Sequence, residues 1–294
     1  MLQKEIILNQ RYFDTSRLKG VGYMVVSAFC FAGMTAIAKG LSETMHVLQV
    51  SVFRVALTAL LLAPYMCAKE ISFLGRNKRL LFVRGTLGFI ALCLGFYATS
   101  QGALGDMTAI WKSAALFSPI FALWFLGERI SFYQAGLILL GFAGILTVAR
   151  PSAGVVSLAG GAALGSAVLL ALIAVSIRKL HETEHAFTIV QAFCLYGTLL
   201  GSALFFPFFK WPNLNELVLV ALMGAIGTIG QTTFTMAFKY EETAIIQPYS
   251  FFEIVFACLI GWFYWGQAPA PHAIIGMALI VSSGALLLRS NRKA

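Results

Sequence analysis

Glu43-Thr44-Met45-His46 returns 139 positions later as Glu182-Thr183-Glu184-His185. The echo belongs to a larger one. Gly136 and Gly144 recur 140 residues on as Gly276 and Gly284, and Thr108-Ala109-Ile110 comes back as Thr243-Ala244-Ile245. Self-similarity at one long period means a structural unit written twice. The kind of unit follows from what lies between the echoes. The 294 residues are 59% hydrophobic and 11% charged, with mean hydropathy +0.84, whereas soluble domains carry roughly a quarter charged residues. The apolar residues come in ten blocks, about 19–41, 48–68, 80–101, 107–126, 131–149, 155–177, 187–209, 215–238, 244–265 and 270–288. Each is close to the roughly 20 residues a helix needs to cross a bilayer. Helices satisfy their own backbone within such a segment, so the expected fold is an all-α integral membrane protein of ten spans.

The block near residue 20 is too long for a signal-peptide core and lacks a convincing cleavage site, so it reads as a retained first span. Residues 1–18 are polar and read as a short cytosolic segment or an interfacial helix. Arg150-Pro151-Ser152-Ala153-Gly154 is turn chemistry and divides two copies. The first is expected over 19–150 (spans 1–5) and the second over 155–289 (spans 6–10), with a cytosolic tail at 290–294. Five is odd, so the second copy must cross in the opposite sense to the first. That is the plan of carriers whose solute site lies between inverted halves. The copies differ at one place. Ala122 to Glu128 is six positions, but the matching Ala257 to Gln267 is ten, so span 9 should run one helical turn longer than span 4.

A net charge of +9 would suggest nucleic acid in a soluble protein, but here it tracks the span ends. With the N-terminus inside, sixteen Lys and Arg fall at cytoplasmic ends, Arg84 among them, and only Lys39, Arg150 and Lys210 fall at outer ends. Cytoplasmic loops retain positive charge, which predicts N-in and C-in. Cys30, Cys67, Cys93, Cys194 and Cys258 all sit in apolar blocks without metal-ligand spacing and read as packing residues. His46, His181, His185 and His272 fall near span ends, with no carboxylate at metal spacing. No phosphate-binding loop, dinucleotide fingerprint or nucleophile–base set is present, so neither an enzyme nor a cofactor is expected.

At several of these positions the chain resembles a known family. Phe53-Arg54, Arg84-Gly85, Ser118-Pro119-Ile120-Phe121 and Leu126-Gly127-Glu128-Arg129 are similar to the first EamA repeat of the drug/metabolite transporter superfamily. Phe252-Glu253-Ile254-Val255-Phe256-Ala257 is similar to the second. The resemblance covers roughly residues 18–289. It implies secondary transport of a small polar or amphipathic metabolite, often an amino acid, in a bacterial inner membrane. Three departures stand out: Gln267 where the family has Glu, Ile254 where it often has Pro, and Lys112 where a small or apolar residue is usual.

Ionisable groups inside a span cost roughly 2.5–3.5 kcal/mol each by insertion scales and are functional candidates by default. Glu253 should lie about 15 Å deep in span 9, as a proton-coupling group or a protonated brace. Lys112 should lie roughly 6 Å below Thr108 in span 4, in the cavity or snorkelling to headgroups. The two then differ in height by roughly 9 Å in a bilayer about 30 Å thick, so a direct ion pair would need tilt, a break at Pro119 or a long reach. Arg54 is a gating or helix-bracing candidate, and Pro119 a gating one. Trp111, Tyr97, Gln101, Gln231, Gln247, Tyr249 and Ser250 lie on polar or aromatic faces of spans 3, 4, 8 and 9 and are expected to shape one solute site. Trp262, Tyr264 and Trp265 read as an interfacial belt.

A cationic and an acidic group at different depths suit a zwitterion. The expected function is therefore alternating-access transport of an amino acid, with S-adenosylmethionine or a nucleoside-type metabolite as the alternative solute. A non-transporting membrane scaffold or receptor is the alternative of another class. Expected partners are a small solute, protons if transport is coupled to them, and membrane lipid, with no nucleic acid; the unit is a monomer or homodimer.

Overall fold

Each apolar block closes its own i→i−4 hydrogen bonds, as a chain in lipid must. A computed structural model describes residues 2–101, 104–149, 157–265 and 269–290, and every regular element among them is helical. Span 1 is the Thr15–Leu41 part of a helix that begins at Leu2. Span 2 is Val47–Ala68, span 3 Lys78–Gln101 and span 5 Phe132–Ala149. Spans 6, 7, 8 and 10 are Leu158–Leu180, Ala186–Phe205, Leu214–Tyr240 and Pro271–Arg289. Spans 4 and 9 are the irregular ones. Span 4 is Leu104–Lys112 and Ala114–Leu126 joined at Ser113. Span 9 is Thr243–Ile246, a 3₁₀ stretch Gln247–Phe251, and Phe252–Trp265. The turn at 150–154 lies outside the described residues, as do the side chains of Tyr264 and Trp265; Trp262 is exposed.

The opening echo is a pair of helix caps. His46 Nδ1 accepts from the Leu48 N–H (3.3 Å) and His185 Nδ1 from the Phe187 N–H (3.3 Å). Each thereby satisfies one of the orphan donors at a helix start. The two copies use one device at opposite ends of the molecule.

Packing between the halves is reciprocal, as a pseudo-two-fold requires. Span 1 packs on span 8 and span 6 on span 3. Span 1 touches span 9 while span 6 touches span 4, and spans 2 and 7 meet each other on the axis. Spans 5 and 10 also pair, and there Gly144 faces Gly276. A Cβ built at Gly144 would fall 2.7 Å from the Gly276 carbonyl oxygen, so the backbones meet directly.

Span 9 is not longer than span 4 as the spacing of the copies suggests, although it does run one turn further at its end. Trp265 comes eight residues after Ala257, whereas Leu126 comes four after Ala122. Span 4 gains a matching turn at its start, at Leu104, so both spans cover 23 positions.

Candidate functional site

Where the halves meet, spans 1–4 and 6–9 enclose a cavity of about 70 Å³. It is far smaller than the roughly 300–1,000 Å³ of sites that bury drug-sized ligands, and has room for a few waters. Lys112 and Glu253 form a direct ion pair across it, with side chains 9% and 3% exposed. The separation of roughly 9 Å expected from ideal helices is therefore corrected by two features. Span 4 starts one turn earlier than read, which puts Lys112 about 12 Å from its helix start. The 3₁₀ stretch rises about 2.0 Å per residue instead of 1.5, which lifts Glu253 to about 17 Å from Thr243. These depths nearly fill a layer about 30 Å thick. The interruption in span 4 falls at Ser113, whose N–H bonds the Ile110 carbonyl (3.0 Å). Pro119 continues inside a helix, and its missing N–H leaves the Ala115 carbonyl to the Ser118 hydroxyl (3.3 Å).

Two arginines flank the pair's cavity. Arg54 is 1% exposed and Arg84 2%, and their guanidinium carbons stand 5.3 and 4.7 Å from the centroid of the Phe193 ring. Cation–π attraction of this kind is worth about 2 kcal/mol when desolvated. Arg54 Nη2 donates to Gln231 Oε1 (3.0 Å). Nε and Nη1 of both arginines are buried without a hydrogen-bond partner among the described residues, as are Trp111 Nε1 and Gln247 Oε1. Arg84 counts as a cytoplasmic-end charge in the sequence pattern; its side chain instead lies at the cavity, about two turns into span 3. The signal that singled out Arg54, a cation about two turns inside a span, applied equally to Arg84.

A model of the EamA-like transporter family matches residues 18–150 and again 158–289. The chain belongs to that family. It is 31% identical to the pseudopaline exporter CntI of Pseudomonas aeruginosa, over 93% of this chain and 97% of that one. It is 29% identical to solute carrier family 35 member G1 of Mus musculus, covering 90% and 76%. To an S-adenosylmethionine uptake transporter of Rickettsia bellii it is 22% identical, covering 94% and 95%. A crystal structure superposes with TM-score 0.79 over 94% of this chain and 98% of that one, at 20% identity, a likeness of fold. This EamA-family chain is thus a multi-pass integral membrane transporter.

Of the residues singled out from sequence, Arg54, Trp111, Lys112, Gln231, Gln247, Ser250 and Glu253 line the cavity of this EamA fold. The last three share a face because residues three apart eclipse in a 3₁₀ helix. The same winding turns Tyr249 away, and its hydroxyl donates to the Gly284 carbonyl in span 10 (3.0 Å). Gln101 is exposed at the end of span 3, its amide donating to Ser100 (3.4 Å). Tyr97, one turn earlier, is half-buried and does not line the cavity. Spans 1, 2, 6 and 7 join the four spans expected to form the wall.

The halves are tied together at the end that carries residues 127–131 and 181–185. Arg178 Nε pairs with Glu128 Oε1 (3.5 Å), and Glu128 Oε2 accepts from the Thr243 N–H (2.9 Å). Arg17 pairs with Glu241 (3.6 Å) and donates to the Leu287 and Ser290 carbonyls (2.7 Å each). Glu184 accepts the N–H groups of Arg76 (2.7 Å) and Asn77 (2.6 Å). Burial raises the Glu128 carboxyl above its usual range, while Arg178 opposes the shift. His181 donates Nε2–H to the Thr235 carbonyl (2.7 Å), and burial brings its pKa down to about 4. It is neutral near pH 7.

Proposed function

We propose that this transporter carries a small zwitterionic metabolite of the amino-acid class by alternating access. The observation behind the reading is the Lys112–Glu253 pair, buried between inverted halves at the interruptions of spans 4 and 9. Interrupted helices at a repeat interface are where carriers of this plan bind solute. A bound zwitterion replaces the pair, its carboxylate on Lys112 and its ammonium on Glu253 and Gln247. An N-in, C-in orientation makes the tied end cytoplasmic. Relatives include an exporter and an uptake transporter, so the likeness assigns no direction. The likeness to the S-adenosylmethionine uptake transporter favours a second reading, a larger zwitterion taken up by exchange.

Counterflow in proteoliposomes over amino acids, nucleosides and S-adenosylmethionine tests this, with Glu253→Gln and Lys112→Ala beside the parent. The expected result is parental flux of an amino acid and loss of at least tenfold in each variant. Parental rates in both variants would overturn the site. A chain that moves no solute but binds a protein would overturn the function in favour of a scaffold.

A further inference from the structure

The charges around the cavity do not balance. Lys112 and Glu253 answer each other, which leaves the guanidinium groups of Arg54 and Arg84 with no carboxylate among the described cavity-lining residues. Both are almost wholly buried, share the ring of Phe193, and hold Nε and Nη1 without partners among the described residues. Buried donors are nearly always satisfied, and each exception calls for a reason. A bracing arginine would spend its fork on the helices it braces. Here the only protein acceptor among the described bonds is Gln231, which takes one Nη2 of Arg54. A guanidinium fork fits an oxyanion through two parallel N–H···O bonds.

We infer that Arg54 and Arg84 form a second anion subsite, and that the solute carries two oxyanion groups besides its amine. One meets Lys112; the other, a carboxylate or a phosphate, sits in the arginine fork. Gln247 Oε1, buried and unpartnered, is an acceptor for the amine. The inference rests on the carrier reading and narrows it to acidic amino-acid-type solutes. A cationic sulfonium solute is disfavoured by the same excess of positive charge.

The test uses the full chain, with matched pairs of probes that differ in the second oxyanion. L-glutamate is compared with L-glutamine, and O-phospho-L-serine with L-serine, by calorimetric binding and by counterflow. The acidic member of at least one pair should bind at least tenfold more tightly than its neutral partner; glutamate marks a carboxylate subsite and phosphoserine a phosphate one. Arg54→Gln and Arg84→Gln should each bring that ratio close to one, and Arg84→Lys should recover only part of it. Should these variants fail to fold, the ratio in the parent still decides. Neutral members binding as well as acidic ones in both pairs would overturn the subsite, as would a preference that survives both glutamine variants. If a wider counterflow panel finds a transported solute with one oxyanion or none, the inference fails and the carrier reading stands. If nothing on that panel moves, the carrier reading fails as well.

Discussion

Removing one member of the Lys112–Glu253 pair should destabilise the protein much more than removing both. The side chains are 9% and 3% exposed, so little solvent screening discounts their attraction. At an effective dielectric near 20, unit charges 4 Å apart attract by about 4 kcal/mol. Stranding one charge of a buried pair typically costs about 3–5 kcal/mol. Glu253→Gln strands Lys112, and Lys112→Met strands Glu253. The Trp111 ring, 5.6 Å from Lys112 Nζ, returns part of the loss in the first case through cation–π attraction. For a chain of this size about 2 °C of unfolding midpoint accompanies each kcal/mol. Each single variant should therefore lose about 6–10 °C, measured by thermal unfolding in one detergent at pH 7. The Lys112→Met/Glu253→Gln double variant should return to within about 3 °C of the parent while remaining inactive in counterflow. Losses that simply add in the double variant would mean that the two charges do not interact, and the geometry of spans 4 and 9 described above would be wrong.

His181 is neutral in the folded protein down to about pH 4, against an ordinary value of 6.5. The unfolded chain therefore binds the extra proton between those values, and the contribution of His181 is full above pH 6.5 and lost as pH falls toward 4. The parent should lose up to about 3 kcal/mol more than His181→Gln over that window, and parallel unfolding curves would contradict the burial argument. Gly144→Val should lower the unfolding midpoint, by about 1–3 kcal/mol in stability, because its side chain meets the Gly276 carbonyl; a neutral effect would show that spans 5 and 10 do not cross there. His46→Ala and His185→Ala should each cost about 1 kcal/mol by unfolding, with near-additive loss in the double variant because the caps lie at opposite ends. Strong coupling between them would argue against two independent caps.

The spans were legible because a bilayer demands long apolar runs and the sequence has ten. The second copy's opposite sense followed from an odd count per half. Arg84 was not legible as a cavity residue, because a charge at a span end and a charge two turns inside leave almost the same mark on a census of loops. The Lys112–Glu253 contact depended on where span 4 starts and on how tightly span 9 is wound, neither of which apolar content reports. Tyr249 is grouped with the site from sequence as an aromatic next to polar residues of span 9, and its hydroxyl bonds to span 10 instead, a direction that residue type does not encode. Gln247, Ser250 and Glu253 stand at three-residue steps, which fan over about 120° at a period of 3.6 and eclipse at 3.0, so the winding draws them onto one line. Tyr97 and Gln101 stand out in the sequence only as polar groups on an apolar span. Their distance from the charges is a matter of depth, which polarity does not encode.

The stretch Gln247–Phe251 has one further consequence. Five residues wound at 3.0 per turn sweep about 100° more than five wound at 3.6, and rise about 2.5 Å more. If the stretch relaxed to α geometry, Glu253 would turn through more than a quarter circle about the axis of span 9, and off Lys112. The backbone would exchange i→i+3 hydrogen bonds for i→i+4 ones, except at Pro248, which has no N–H to give in either winding. Span 9 thus holds its acidic group on a screw thread, so the bearing of Glu253 toward Lys112 is set by the pitch of the turns before it.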